Sequence, residues 1–382
     1  MTRDNRWSVT DRELHDEIRT LRERDATVAI ATVIDVEGSA YRRPGAKLLA
    51  PAEGETLGAI TAGCLEGPVA DLAADARETG AITVETFDLM EDNEWGLGLG
   101  CNGVIDVLVE PLDDTYDTLV RTLDDGTTAS LLTVVDSDDD DVPVGSRATV
   151  TEDGPETGSD RQGIPADVLP ALQDTAAKAR ADGSSSVIHV EREAGDLRVF
   201  VDGVKPAPDL ILFGAQNDVN AIAQLGVQAG FRVTVASPRG ARADASRFPN
   251  AHRVQTTHPT EITEVIDDPE STYVVLLSHN LIDDRLALEA LLSETDVPYV
   301  GLMGPRERFE EIRDASEEDG QTFTATELKR VSTPVGLDLG DGGPVGIAMS
   351  VVSELIAVAN GADGGRLAER SGPIHPRPTP SG

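Results

Sequence analysis

The only two cysteines of the chain, Cys64 and Cys101, each lie in a glycine-rich segment. Cys64 follows Gly63, whereas Cys101 follows Gly100 and precedes Asn102-Gly103. Glycine permits positive φ and lets the backbone approach a ligand closely. A thiol in such a loop is an accessible nucleophile or a soft metal ligand, while a cysteine that only packs in a core behaves as a small hydrophobe. Because both cysteines share this setting, the pattern favours a functional role over core packing.

Two adjacent arginines, Arg42 and Arg43, precede the first cysteine in a loop that ends with Pro44-Gly45. A guanidinium group binds phosphate through two parallel hydrogen bonds. The alternative is a solvated pair of loop side chains. Since the chain is strongly acidic, adjacent arginines in a Gly/Pro loop beside the cysteine motif favour a functional role over the solvated alternative.

The formal charge of the 382-residue chain is −37, from 69 acidic and 32 basic residues. Lysine occurs only at positions 47, 178, 205 and 329. Concentrated salt screens such self-repulsion, so we interpret the acidity as a halophilic adaptation and expect a cytoplasmic protein. The same charge disfavours binding to nucleic acid or to an anionic membrane. No apolar run is long enough for a membrane-spanning helix, and no signal peptide is expected ahead of the first charged helix.

The order of strand and helix patterns predicts two α/β domains. In the first domain (1–205), a core over 26–112 is followed by a second half over 127–204 whose strand and turn pattern repeats that of the core. We therefore predict an internal pseudo-repeat. The second half lacks the cysteines and the double arginine, so the chemistry is assigned to the first.

The second domain (206–360) alternates buried strands with helices, which predicts a Rossmann-like, doubly wound parallel sheet. Its first strand ends at Gly214, but the dinucleotide fingerprint is broken because Gln216 and Val219 replace the later glycines. Ser237 stands where an acidic residue would bind a ribose. NAD(P) binding is therefore not expected. Residues 361–382 are rich in Gly and Pro and are expected to form a disordered tail.

Two further residues have both a functional and a structural interpretation. His279 follows the predicted strand 273–277, at the carboxyl end where parallel sheets bind ligands, so it is a candidate cofactor-binding residue or a structural histidine. Glu66 either orients Cys64 or caps the helix that follows. We favour the cap.

The motifs together resemble the XdhC/CoxI family. In the first domain the resemblance rests on Gly38–Lys47, Gly63–Glu66 and Leu97–Gly103. In the second domain it rests on three signatures, Arg247–Ala251, Gly301–Arg306 and Thr333–Asp338, and on the closing helix over 346–357. Asn102 departs from the family pattern, which often has two glycines after the second cysteine, and Gln216 departs from its usual glycine turn.

The resemblance implies an accessory factor rather than an enzyme. Such a factor binds molybdenum cofactor, shelters it while a sulfido ligand is installed, and delivers it to a molybdenum hydroxylase of the xanthine, CO or aldehyde dehydrogenase type. The implied partners are a cysteine desulfurase and the large subunit of the hydroxylase, and a homodimer is also considered. The resemblance implies that the cofactor binds at Cys64, Cys101, Arg42, Arg43, Gly63, Gly100, Gly103 and His279. Both cysteines are expected to be metal ligands.

Two alternatives from other functional classes remain open. One is an NAD(P)-dependent oxidoreductase that uses the Rossmann-like domain. The other is a redox-responsive interaction protein in which Cys64 and Cys101 form a reversible disulfide.

Overall fold

The computed structural model describes residues 6–38, 40–89, 103–156 and 163–371. Its internal contacts divide the chain between Pro206 and Ala207 into two compact units, and each unit is described by itself. Within these ranges, every helix is too short or too polar to cross a membrane.

The first unit contains two five-stranded antiparallel sheets with the same topology. The strand orders are β3-β2-β1-β5-β4 and β8-β7-β6-β10-β9, which confirms the predicted pseudo-repeat. The strands of the first sheet are β1 (Val28–Gly38), β2 (Lys47–Pro51), β3 (Leu57–Gly58), β4 (Thr83–Asp88) and β5 (Gly103–Pro111). Those of the second are β6 (Ala129–Ser137), β7 (Arg147–Thr151), β8 (Gly154–Glu156), β9 (Ser185–Val190) and β10 (Leu197–Val204). The helices are α1 (Asp11–Glu23), α2 (Glu66–Thr79), α3 (Asp117–Asp124) and α4 (Leu169–Asp182).

Each half covers one face of its sheet with a helix that presents small residues. In α2 the buried residues are Val69, Ala73 and Ala76, and α4 buries Leu172, Ala176 and Ala179 at the same spacing. Residues at i, i+4 and i+7 lie on one face of a helix. Alanine at two of the three positions lets each helix approach its sheet closely.

The repeat extends to a β-bulge in each central strand. The pairing of β1 with β5 shifts between Val33 and Asp35, and the pairing of β6 with β10 shifts at the equivalent place. The extra residues, Ile34 and Val135, pack in one buried cluster with Leu108 and Phe200. Because each sheet contributes an equivalent pair, the cluster joins the two halves across a pseudo-twofold arrangement.

Two buried ion pairs cross between the halves. Lys47 Nζ lies 2.6 Å from Asp202 Oδ2, and Arg147 Nη2 lies 2.5 Å from Glu110 Oε1. The two cations occupy equivalent positions opposite a threonine of the central strand, and the two carboxylates occupy equivalent positions on β5 and β10. All four side chains are at most 8% exposed. Each half therefore supplies a cation to one pair and an anion to the other.

Hydrogen bonds from all three guanidinium nitrogen atoms hold Arg147 in place. Its Nε donates to Thr133 Oγ1 at 3.1 Å and its Nη1 to Thr115 Oγ1 at 3.0 Å, while the Tyr116 hydroxyl donates to Glu110. Burial alone would lower the pKa of Arg147, and the Glu110 carboxylate reverses that effect, so the pKa is raised. The guanidinium group remains charged in the interior.

We expect Glu110→Leu to lower the free energy of unfolding by about 3–5 kcal/mol, because Arg147 then remains buried without its carboxylate. The double variant Glu110→Leu/Arg147→Met should recover most of this loss, since no isolated charge remains. Urea unfolding at constant salt measures both. As a control, Asp124→Ala breaks the exposed Arg19–Asp124 pair and should cost about 1 kcal/mol or less. Equal losses in the single and double variants would contradict the pairing.

His15 of α1 lies close to the Lys47–Asp202 pair. Its pKa is lowered to about 4, chiefly because burial disfavours the charged imidazolium and secondly because the Lys47 ammonium repels it. The carboxylates of Asp11, Asp202 and Asp16 act in the opposite direction. His15 is consequently neutral in the folded protein at pH values where the unfolded chain already binds a proton.

Stability should therefore fall as the pH is lowered from about 6.5 to about 4, by about 1–3 kcal/mol from this residue alone. The sign follows because only the unfolded chain takes up a proton at residue 15 in that window. His15→Gln should remove this contribution. We would measure the unfolding free energy of the wild type and of this variant at each pH and take the difference. The contributions of the carboxylates cancel in that difference, because both proteins have them. Parallel pH curves would refute the assignment.

The second unit is a six-stranded parallel sheet of order β13-β12-β11-β14-β15-β16. Successive residues of β11 alternate between two apolar layers: Leu210 and Leu212 pack with α5 and α9, and Ile211 and Phe213 pack with α6 and α7. This confirms the predicted Rossmann-like, doubly wound fold. The strands are β11 (Asp209–Phe213), β12 (Arg232–Ser237), β13 (Arg253–Thr256), β14 (Thr272–Leu276), β15 (Tyr299–Leu302) and β16 (Val331–Ser332). The helices are α5 (Asp218–Gln228), α6 (Leu281–Glu294), α7 (Arg306–Glu318), α8 (Ala325–Leu328) and α9 (Pro344–Ala359).

Two glycines of the first βα unit serve packing. A Cβ at Gly214 would collide with the carbonyl oxygen of Leu277, which follows the neighbouring strand β14. A Cβ at Gly226 would press on Leu210 of β11. Glycine is thus required here for the close approach of strand to strand and of helix to sheet.

Part of the segment expected to be a disordered tail is described. Residues 361–371 include a short 3-10 turn over Leu367–Glu369. Arg370 Nη2 lies 2.6 Å from Asp363 Oδ1. Residues 372–382 lie outside the described ranges.

Candidate functional site

The Cys64 turn is built around a threonine hydroxyl. The N–H groups of Gly63, Cys64 and Leu65 all donate to Thr61 Oγ1, at 3.3, 3.1 and 3.2 Å. Gly63 adopts φ +113°, a conformation that favours glycine. The Thr61 hydroxyl in turn donates to Glu66 Oε2 at 2.6 Å. The chain therefore wraps around one oxygen atom before α2 begins.

Glu66 secures this turn from the helix side. Its Oε1 accepts the N–H of Thr61 at 3.1 Å, and its Oε2 accepts the N–H of Leu65 at 3.2 Å. These contacts give Glu66 a structural role at the start of α2. They also hold the chain where α2 begins, at Glu66.

The Cys64 side chain is partly buried. It packs against the apolar cluster between α2 and the first sheet, as do Ala40 and Leu72. Ala40 is the first described residue of the loop that carries the two arginines. The cysteine turn and the arginine loop thus share one cluster.

The arginine loop is anchored by its last glycine. Gly45 has φ +95° and donates its N–H to the carbonyl of Val33 at 2.8 Å. A Cβ at this position would collide with Ser185 Oγ of the second half. Ahead of this anchor, Arg42 is partly buried and Arg43 is exposed. The loop is therefore held at its base while its arginines reach the surface.

The orientation of α2 shows at which end of the sheet the cysteine turn lies. Arg77, in the last turn of α2, donates to the carbonyl of Ala50 at 2.9 Å. Ala50 pairs with Ala29, near the start of β1. The opposite end of α2, with Cys64, therefore lies toward the end of β1.

Gly103 lies at this same end. It opens β5 and pairs with Gly38, the last residue of β1, immediately before the arginine loop. The structure therefore brings together Cys64 with Gly63, the loop of Arg42 and Arg43, and Gly103 at one end of the first sheet.

Cys101 and Gly100 lie outside the described residues, so the expected convergence of the two sulfur atoms stays a prediction. In the ranges that the structure describes, no three His, Cys, Asp or Glu side chains are placed to hold a metal ion. Cys64 is thus the described part of the expected ligand pair.

His279 belongs to the second unit, where it pairs with an acidic residue. Its Nε2 lies 2.7 Å from Asp218 Oδ2, and the side chains are 50% and 32% exposed. Its φ of +58° is uncommon for a residue other than glycine. Asp218 opens α5 after β11, and His279 follows β14, so the pair spans the two neighbouring strand ends where the winding of the sheet reverses. Since the units are described separately, no distance relates His279 to Cys64.

This pair occupies the place where a dinucleotide-binding fold receives pyrophosphate, at the start of the helix that follows the first strand. Here that helix begins with the Asp218 carboxylate, which repels a diphosphate. Gln216 also stands where the second glycine of the fingerprint would allow the backbone to approach the ligand.

Two features of these sites were not predicted from the sequence, namely the role of the Thr61 hydroxyl and the bond between Asp218 and His279. Thr61 could have been found, because Ser and Thr hydroxyls commonly accept N–H groups of the following turn. The bond between Asp218 and His279 has no local signal, since 61 positions separate them.

Comparison with known proteins places both units in one family. Residues 21–88 match the model of the XdhC and CoxI family, a range that includes Arg42, Arg43 and Cys64. Residues 210–355, which include His279, match the model of the XdhC Rossmann domain. The chain belongs to the XdhC/CoxI family.

Relatives of this XdhC/CoxI chain include a Bacillus subtilis protein whose name describes it as a probable subunit of xanthine dehydrogenase. It is 27% identical over 348 residues, which cover 90% of this chain and 96% of that protein. The uncharacterised Escherichia coli protein YqeB is 28% identical over 183 residues, or 48% of this chain and 32% of that protein. A crystal structure of a xanthine dehydrogenase from Bacillus halodurans has a TM-score of 0.73 at 23% identity and covers 95% of this chain and 98% of that chain. The two proteins share a fold.

Thr61→Val should loosen the cysteine turn, because three N–H groups lose their common acceptor. We expect a loss of about 1–3 kcal/mol in unfolding free energy and faster alkylation of Cys64 by iodoacetamide, resolved by mass spectrometry. Thr61→Ser keeps the hydroxyl and is the matched control. Indistinguishable alkylation rates for the Val and Ser variants would show that the hydroxyl does not hold the turn.

Proposed function

We propose that this protein is a carrier of molybdenum cofactor. It binds the cofactor, protects it while its sulfido ligand is installed, and delivers it to a molybdenum hydroxylase of the xanthine, CO or aldehyde dehydrogenase type. The observation that carries the proposal is the gathering of Cys64, the arginine loop and Gly103 at one end of the first sheet, in a chain of the XdhC/CoxI family.

The chemistry of these groups matches the two ends of such a cargo. Molybdenum cofactor carries a sulfur-rich metal centre at one end and a phosphate at the other. Cysteine sulfur is a soft donor suited to the metal end, and Cys64 lies in the turn that leads into α2. The guanidinium groups of Arg42 and Arg43 suit the phosphate end.

The fixed turn allows Cys64 to act as a positioned ligand. Because Thr61 Oγ1 binds three successive N–H groups of the turn, the backbone around the sulfur is set before any cargo arrives. A pre-organised site loses less conformational entropy on binding. We assign Cys101 as the second sulfur ligand.

The proposed partners follow from the cargo. The large subunit of a molybdenum hydroxylase receives the cofactor, while a cysteine desulfurase supplies the sulfur. The Bacillus subtilis relative, whose name refers to xanthine dehydrogenase, supports the first of these. We place the exchange in the cytoplasm, and a homodimer is a compatible assembly.

A nicotinamide-dependent oxidoreductase is opposed by the second unit. The Asp218 carboxylate and His279 occupy the start of α5, where the pyrophosphate of NAD(P) would bind. The Rossmann-like unit is therefore assigned a role other than hydride transfer.

Replacing either cysteine by serine should remove at least about nine-tenths of the cofactor that copurifies under anaerobic, high-salt conditions. The reason is that a hydroxyl is a poor ligand for a soft metal centre. Molybdenum is measured by mass spectrometry, and the pterin by the fluorescence of its oxidation product. Ala62→Ser, which adds a hydroxyl to the exposed residue two positions before Cys64, is the matched control and should retain the cofactor. Equal cofactor content in the wild type, Cys64→Ser and Cys101→Ser would overturn the proposal.

A further inference from the structure

Two aromatic rings lie exposed and in contact beside the arginine loop. The ring centroids of Trp7 and Tyr41 are 5.7 Å apart with an interplanar angle of 34°. Trp7 is 39% exposed and Tyr41 is 57% exposed. Aromatic residues make up only 3% of the chain, so two exposed rings together form an unusual feature of its surface.

Arg42 lies next to these rings with its charge available. It lines a small surface cavity together with Trp7, Lys47 and Asp11. Lys47 Nζ is already bound to Gly45 O and Asp202, whereas Arg42 makes no hydrogen bond or ion pair with any residue that the structure describes. The Asp11 carboxylate is the one acidic group among the described lining residues. Arg42 is therefore the cation placed to meet an anionic ligand here.

The local fold connects this surface to the cysteine turn. The carbonyl of Arg6 accepts the N–H of Gly58 at 2.9 Å, which fixes the segment carrying Trp7 along β3. Gly58 also lines the cavity, and the chain then runs directly from Gly58 to Thr61 and the Cys64 turn. Tyr41 and Arg42 come from the other element of the same site, the arginine loop.

We infer that Trp7, Tyr41 and Arg42 form the surface that recognises the pterin and phosphate of the cargo, an inference that rests on the proposed carrier function. The pyrimidinone ring of a pterin is planar and stacks on an aromatic face, in the way that nucleic-acid bases stack on exposed tyrosine and tryptophan. The planar guanidinium group of Arg42 binds the phosphate through two hydrogen bonds. The rings thus select the heterocycle, while the sulfur ligands hold the metal.

The experiment uses the full chain and molybdenum cofactor released anaerobically from a purified molybdenum enzyme. Affinity is measured from cofactor retained after gel filtration and from quenching of tryptophan fluorescence. Trp7→Ala, Tyr41→Leu and Arg42→Ala should each raise the Kd roughly tenfold. Tyr41→Phe keeps the ring and should bind like the wild type. Arg24→Ala removes an exposed arginine at the end of α1 and is the charge control. Cofactor-dependent quenching should also shrink in Trp7→Phe, because Trp95 is then the one remaining tryptophan of the chain.

The outcomes separate this inference from the carrier function. Wild-type affinity in Trp7→Ala and Tyr41→Leu, with cofactor lost in Cys64→Ser, would overturn the aromatic surface and leave the carrier intact. Equal weakening in Tyr41→Phe and Tyr41→Leu would also overturn it, since the hydroxyl and not the ring would then be responsible. Failure of the wild type to retain cofactor would overturn both. A lowered melting temperature with unchanged affinity would show that the rings only pin the N-terminal segment.

Discussion

In the first unit, two buried ion pairs tie charges of one half to charges of the other. Lys47–Asp202 and Arg147–Glu110 are nearly inaccessible to water, so each charge is stable only while the other half is in place. The hydrophobic effect that packs the two halves is non-directional, whereas each buried charge requires one specific partner. Paired charges at equivalent positions fix the register between the sheets, because a shift by one residue would separate both pairs at once.

This fixed frame carries an asymmetric site. Both halves have the same strand order, the same bulge and the same small-residue helix, yet the cysteine turn and the arginine loop occur in the first half. The cation of one crossed pair, Lys47, follows the arginine loop directly, and its ammonium binds the carbonyl of Gly45. The position of the arginines is therefore set by the same contact that joins the halves.

Sequence patterns predicted the features that depend on residues close together along the chain. The strand and turn pattern shared by 26–112 and 127–204 indicated the repeat, and alternating strands and helices over 206–360 indicated the parallel sheet. The crossed ion pairs could not be predicted, because Lys47 and Asp202 are 155 positions apart and a lone buried lysine has no local signature. For the site, the glycine-rich turn and the paired arginines marked the relevant loops. The oxygen that organises the turn, Thr61, and the partner of His279 became evident only in three dimensions.

The contact between Gly45 and Ser185 bears on how such a protein can evolve. If the repeat records an ancient duplication, one copy became free to lose its chemistry, but it did not become dispensable. Its Ser185 still packs against the base of the arginine loop in the first half. Substitutions in the second half are therefore limited by its contacts with the first, and deletion of the second half would expose the base of the arginine loop.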